Sequence, residues 1–163
     1  MQLLFTTTGS WISRLIRKLT SSSVSHSALG LEWGGVPVIL EADWNGVVLK
    51  VRSVWETQVK VIAEYEVLPR LELNRALSHI GARYDYRGLL GFLWVLVAKR
   101  LGKRLNNKLA SSKAMICSEF IVRLGQGVIE GWGQFDPETT SPADLHSWCE
   151  TASSLLVSPV RKV

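Results

Sequence analysis

Three residues stand in contexts that suit nucleophilic acyl chemistry. Cys117 lies in AMICSEFIVRLGQG, at the start of a run in which Phe120, Ile121 and Leu124 share one face of a short helix. A thiol at a helix N-terminus faces unpaired backbone N–H groups and the positive end of the dipole, which favours the nucleophilic thiolate. The same position also suits a small buried hydrophobe, as free cysteines generally are. His26, in SSSVSHSALGL, opens a strand on which it shares a face with Ala28 and Gly30. Small neighbours leave the room that a general base needs, although a satisfied structural histidine fits equally. Glu41 finishes the apolar strand VPVILEA, either as a solvated terminus or as the orienter of an adjacent histidine.

What decides between these readings is the set of elements that carry the residues. Gly34-Gly35 sits between two apolar runs and predicts a tight hairpin. An antiparallel hairpin brings its far ends together, so the start of one strand (His26) meets the end of the other (Glu41), as a base and its orienter require. Asn45-Gly46 predicts a second turn, folding VPVILEADW back onto VVLKV. An opening strand covers Leu3 to Thr7, and a fourth strand beyond the first helix runs near Val59 to Val67, before Pro69.

Helical spacing takes over elsewhere. Trp11, Leu15, Ile16 and Leu19 mark a first helix with Ser10 as N-cap. Leu71, Leu73, Ala76, Leu77 and Ile80 mark another, closed by Gly81. Gly88 to Leu101 is an apolar helix, Met115 to Leu124 a further one stopped by Gly125, and Ser141-Pro142 opens the last. Strands gathered early and helices gathered late predict an α+β fold with an antiparallel sheet.

The chain has 163 residues, 47% of them hydrophobic and 20% charged, with 13 Gly and 5 Pro. These proportions exclude disorder, a collagen-like repeat and a coiled coil. Without an internal repeat or a Pro/Ser linker, residues 1–163 read as one domain. Two cysteines and three histidines, widely spaced, make neither a disulfide scaffold nor a metal site, so no metal and no cofactor is expected. Cys149 follows His146 by three residues on the last helix, a pairing that reads as packing. His79 reads as structural or exposed.

The net charge is +5, concentrated in Lys99, Arg100, Lys103, Arg104, Lys108 and Lys113, with no acid between them. Such a block is generally a solvated face; it also suits phosphate or an anionic lipid contact through Lys99–Lys108. Basic residues interleaved with aromatics on a sheet are missing, so no specific nucleic-acid partner is expected. The N-terminus has no basic segment leading into an apolar run and a cleavage site. Gly88–Ala98 would make about 16 Å of helix, roughly half the thickness of a bilayer's hydrocarbon. It reads as a buried helix, with an interfacial one as the alternative, and the expected location is cytoplasmic. Trp33, Trp44, Trp55, Trp94, Trp132 and Trp148 show no period and read as core and cleft lining.

Taken together, SHSALGL, VILEADWNGV, YDYRGLLGF, ICSEF and SPADL resemble the permuted branch of the NlpC/p60 superfamily, its YiiX-like members included. These are papain-like enzymes in which the histidine strand precedes the cysteine helix. The resemblance runs from about Leu3 to Leu145. It implies a circularly permuted papain-like fold, with an antiparallel sheet carrying His and Glu packed against a helix that starts at Cys. It further implies a cysteine peptidase or amidase with Cys117 as nucleophile, His26 as base and Glu41 as orienter. Tyr84 and Tyr86 match a segment that tends to lie near the family's cleft. The substrate class implied is a small peptide or a peptidoglycan-type peptide. A lipid-directed acyltransferase or thioesterase is the alternative enzyme, and a phage or bacterial accessory binding module the non-enzymatic one.

Overall fold

The computed structural model describes residues 1–67, 73–111, 114–152 and 157–162. Strand β1 (Gln2–Thr7) leads through helix α1 (Trp11–Thr20) to strands β2 (His26–Trp33), β3 (Val36–Asp43) and β4 (Gly46–Val51). A four-residue helix α2 (Arg52–Trp55) precedes β5 (Lys60–Val67) and α3 (Leu73–Leu77). The second half holds β6 (Arg83–Tyr84), α4 (Tyr86–Arg100), β7 (Ala114–Met115), α5 (Cys117–Gly125), α6 (Pro142–Thr151) and β8 (Val157–Lys162). Six strands form one antiparallel sheet in the order β4-β3-β2-β1-β5-β8, while β6 and β7 make a short parallel pair.

The turns form as their residues require. Gly34 and Gly35 both have positive φ, 58° and 79°, the conformation a two-residue hairpin turn demands. Gly46 has φ 104°, and a Cβ there would stand 2.2 Å from the carbonyl oxygen of Ala82. That close approach lets Val47 N–H bond the Ala82 carbonyl at 2.8 Å and Gly81 N–H the Val47 carbonyl at 3.0 Å. The chain leading to Tyr84 is thereby fastened to β4.

Two cores divide the sheet's faces. On one, Leu3, Phe5, Leu29, Leu40 and Tyr65 share a core with Phe120, Ile121 and Leu124 of α5 and Leu145 and Cys149 of α6. On the other, Leu4, Ala28, Ile39 and Val61 enclose Trp55 of α2. A third cluster of Ile16, Leu89, Phe92, Leu96 and Ile116 joins α1 to α4.

Several sequence expectations need correction. The helix expected from Leu71 to Ile80 is the shorter α3; Leu71, like Pro69, lies outside the described residues. The Cys helix begins at Cys117, not Met115, because Ala114 and Met115 pair as a strand with Arg83 and Tyr84. Gly125 is the last residue of α5 rather than its stop, and its job is packing: a Cβ would fall 2.0 Å from the Trp132 ring. The edge strand β8 was not anticipated because Pro159 interrupts its pattern; at a sheet edge, proline's missing N–H is tolerated. Helix α4 is buried on one side only. Tyr86, Leu90, Trp94 and Leu101 are exposed, so Trp94 belongs to neither core nor cleft, and neither does exposed Trp33. Among the described residues, no helix is long and apolar enough to cross a membrane.

Candidate active site

Each chemistry-bearing side chain is delivered by the end of an element. The β6–β7 pair carries the chain to Ile116, whose extended backbone precedes α5. Buried Glu119 accepts the Ile116 N–H at 3.4 Å and holds the Arg123 guanidinium at 2.8 Å, so the first turn carries its own cap. Cys117 is therefore the first helical residue, buried, with its sulfur beside the backbone N–H of Ser118 and of Ser27. His26 is the first residue of β2, across from Thr6 of β1. Its ring lies between Cys117 and Glu41.

The hairpin places Glu41 as its register dictates. Leu29 pairs with Leu40, which sets Ala28 opposite Glu41 and His26 one diagonal step away on the same face. His26 Nε2 meets Glu41 Oε2 at 2.7 Å, leaving Nδ1 for the Cys117 sulfur. The imidazole is 20% exposed and the carboxylate 4%. Glu41 is thus no solvated terminus. Its second oxygen accepts from Lys50 Nζ at 2.7 Å, and Lys50 also bridges to Asp43. The indole N–H of buried Trp55 makes no hydrogen bond, yet it lies near enough to favour the Glu41 anion.

Electrostatics follow from this arrangement. Burial opposes ionisation of Glu41, but His26, Lys50 and Trp55 outweigh it and hold the carboxyl at about 2. Burial likewise opposes the His26 cation, yet the Cys117 sulfur and then Glu41 raise the imidazole to about 10. The Cys117 thiol is lowered: desolvation works against the thiolate, while the His26 charge and hydrogen bond and the Ser27 and Ser118 N–H groups work for it. Each partner thus favours the charged form of the other, thiolate beside imidazolium.

Around it lies a cleft of about 230 Å³. One wall is apolar, made by Ile12 and Ile16 of α1, Leu89 and Phe92 of α4, and Ile116. Another carries hydroxyls: Ser13 Oγ bonds Thr7 Oγ1 at 3.0 Å and Ser25 Oγ at 2.6 Å, and accepts from Thr8 N–H at 3.1 Å. Tyr84 lines the cleft near Cys117, and burial with the nearby sulfur pushes its phenol up, so it stays protonated. Tyr86 does not line the cleft. Its ring stacks on cleft-lining Trp44 at 5.9 Å and its Oη donates to the Trp44 carbonyl at 2.6 Å, which makes it a rim residue.

The remaining chemical candidates lie elsewhere. His146 packs edge-on against Phe5 and Tyr65, and Cys149 sits in the main core. His79 meets Phe120 edge-on, its imidazole lowered by burial and by Arg75 and Arg123. In the basic block, Lys99 binds Asp144 at 2.7 Å and Arg100 donates to Ser21 Oγ and the Lys18 carbonyl, both at 2.9 Å. Lys113 lies outside the described residues. No group of three or more His, Cys, Asp or Glu side chains among the described residues could hold a metal ion. Trp55 is both core and cleft lining, as the sequence predicts, but its place beside Glu41 was missed there, as were Lys50 and the Ser13 hydroxyl cluster. Only the period-two spacing of Glu41, Asp43 and Lys50 around the Asn45-Gly46 turn could have signalled the lysine.

No family model matches the chain, and no curated protein matches it in sequence. Its fold is similar to the crystal structure of metalloprotein yiiX from Escherichia coli O157:H7, DUF1105. The TM-score is 0.60 at 17% identity, covering 99% of this chain and 96% of that one. At that identity the likeness is one of fold: α+β, with a mostly antiparallel sheet and six helices among the described residues.

Proposed function

We propose that this chain is a cysteine hydrolase of permuted papain-like architecture, one domain over residues 1–163, cleaving an amide or ester through a thioester acyl-enzyme. The observation that carries this reading is the relay at the end of the sheet. A Cys117 thiolate lies against His26, and the far nitrogen of that ring is fixed at 2.7 Å by a buried carboxylate, Glu41. A scaffold gains nothing from a buried acid, base and thiol held in line, because ion pairs of this kind seldom outweigh their desolvation.

The chemistry runs as follows. The Cys117 sulfur attacks the carbonyl carbon, and the carbonyl electron pair moves to oxygen, facing the Cys117 backbone N–H at the start of α5. The carbon–nitrogen or carbon–oxygen bond then breaks, and the leaving group takes the proton from His26 Nδ1. A water gives its proton to the same nitrogen and adds to the thioester; the acid departs and the thiolate is restored. Glu41 holds the ring's orientation throughout. Tyr84, kept protonated at the cleft wall, offers a hydroxyl donor to a bound substrate.

The apolar wall of Ile12, Ile16, Leu89, Phe92 and Ile116 favours an acyl group or apolar side chain next to the scissile bond. That observation supports a second reading, a lipid-directed thioesterase or acyltransferase, over a charged peptide substrate. The yiiX chain is described as a metalloprotein. The residues here do not fit such a role, since the Lys50 ammonium occupies the Glu41 and Asp43 oxygens that a cation would need.

The test is to trap the acyl-enzyme. Incubation with an activated acyl ester, followed by peptide mass mapping, should place the acyl mass on Cys117, and His26→Ala should suppress it. If Cys117 stays unmodified while the protein remains folded, the hydrolase reading falls.

A further inference from the structure

The outer side of α1 and α4 presents apolar residues where a water-facing helix would carry polar ones. Leu90 is 63% exposed, Trp94 65% and Leu101 69%, and with Tyr86 they recur at the spacing of a single helical stripe. The opposite side of α4 buries Leu89, Phe92 and Leu96 against Ile16 of α1. Exposed Trp11 lies beside cleft-lining Ser10 and Ile12, and Tyr86 stacks on cleft-lining Trp44. The stripe therefore starts at the mouth of the Cys117 cleft and runs roughly 22 Å along α4. Monomeric proteins seldom expose contiguous apolar surface of this kind without a partner for it.

Charge identifies the partner. From Tyr86 to Ser111 there is no acidic residue, while Arg87, Lys99, Arg100, Lys103, Arg104 and Lys108 are all exposed. Lys103, Arg104 and Lys108 take part in no ion pair among the described residues. The two helices run side by side, since Ile12 and Leu89 share the cleft while Arg100 reaches the Lys18 carbonyl, so exposed Lys18 joins the basic end. A second copy is a poor occupant: a two-fold interface sets the same patch against itself, and this patch has one sign of charge. Aromatic and leucine side chains rimmed by lysine and arginine match an anionic bilayer surface, where rings sit at headgroup depth and cations meet phosphate.

We propose that the α1–α4 face, with Trp11, Tyr86, Leu90, Trp94 and Leu101 as its apolar part and Lys103, Arg104 and Lys108 as its cationic part, docks this protein on an anionic membrane surface with the cleft mouth at the interface. Docking needs no catalysis, so it stands or falls apart from the hydrolase reading.

The experiment is co-flotation of the full chain with vesicles of phosphatidylcholine alone, or of phosphatidylcholine with about one third phosphatidylglycerol. Wild type and Cys117→Ala should both float with the anionic vesicles, hardly with the neutral ones, and less as salt is raised. The pair K103E/R104E should weaken binding by at least about 25-fold, on about fivefold per cationic residue. The pair L90D/W94D should abolish it while leaving Cys117 alkylation at the wild-type rate, which shows the variant folded. The proposal is overturned if the folded wild type ignores anionic vesicles, or if L90D/W94D binds as wild type does. It is equally overturned if L90D/W94D turns a dimer into a monomer by light scattering, because the stripe then belongs to a second copy. Flotation without acylation of Cys117 sinks only the hydrolase reading, and acylation without flotation sinks only this one.

Discussion

The chain's two cysteines sit in regions that look alike on paper and differ in physics. Both are buried, both lie on helices that pack into the main core, and each has a histidine for company. Cys149 is three residues beyond His146, on the same face of α6. Cys117 and His26 are separated by most of the chain. Yet the distant pair forms the acid–base contact, because both residues occupy the first position of their elements and those ends converge. The His146 ring is spent on Phe5 and Tyr65, and α6 presents Cys149 to the core near its C-terminal end, where the helix dipole disfavours an anion. Sequence proximity supplies neighbours; only element ends supply unpaired N–H groups and room for a substrate.

The sharpest way to break this comparison is to remove one thiol at a time. Cys117→Ala should lower ester or amide turnover by at least about 10³-fold, since nothing else in the cleft replaces the nucleophile. Circular dichroism should show the fold intact, because the lost group is small. A Cys117→Ala protein that still turns over would dissolve the distinction.

Next in size comes the orienter. Replacing His26 by Ala removes base and counter-ion together, whereas Glu41→Gln leaves the ring in place with a neutral partner. Turnover should therefore fall by about 10²-fold in Glu41→Gln and further in His26→Ala. The same series should appear in alkylation of Cys117 against pH. In wild type the rise should come below the thiol's ordinary range, because the His26 charge and the Ser27 and Ser118 N–H groups lower the thiol. In His26→Ala the rise should move up toward the thiol's ordinary range near 8.5. A Glu41→Gln variant worse than His26→Ala would assign Glu41 a role beyond orientation.

How much of this site could be read beforehand depends on how local its causes are. The meeting of His26 and Glu41 was legible, since two adjacent glycines fix a hairpin and a hairpin fixes its register. The start of α5 was legible within two residues; it was blurred by the β6–β7 pair, whose two-residue strands leave no periodic trace. The placing of Lys50 and Trp55 beside Glu41 was not legible, because what brings them there is the return of β4 and the single turn of α2 over the sheet. The surface of α4 misled for a related reason. An apolar run tells that a helix is water-averse all round, not which side finds a partner within the chain.

The buried carboxylate also separates the two regions by acid sensitivity. Glu41 titrates near 2 in the folded chain against 4.5 in the unfolded one, so the unfolded state binds the extra proton first. Its stabilisation is complete above pH 4.5 and is lost as pH falls toward 2, amounting to about 3 kcal/mol. Urea midpoints taken from pH 6 down to 3 should fall in wild type and fall less in Glu41→Gln. His26 carries the opposite sign: raised to about 10, it contributes below pH 6.5 and loses that contribution as pH rises through 10. If the acid limb is the same in Glu41→Gln, the carboxylate is not the group that titrates.

The smallest effect is expected at Cys149, and it tests the other half of the comparison. The sulfur fills space in the core that also holds Phe5, Tyr65, Leu145 and Trp132, so Cys149→Ala leaves a void about one sulfur atom in size. Deleting a buried group of that size costs about 1 kcal/mol. For a domain of this length that is a fall in Tm of about 2–4 °C. Turnover and the alkylation profile of Cys117 should stay within twofold of wild type, because α6 packs on the sheet through Leu145 and Cys149 and contributes only Pro142 to the cleft. A Cys149→Ala protein of normal Tm but lost turnover would invert the assignment: the thiol three residues from its histidine would be the reactive one, and the pair at the sheet's end the structural one.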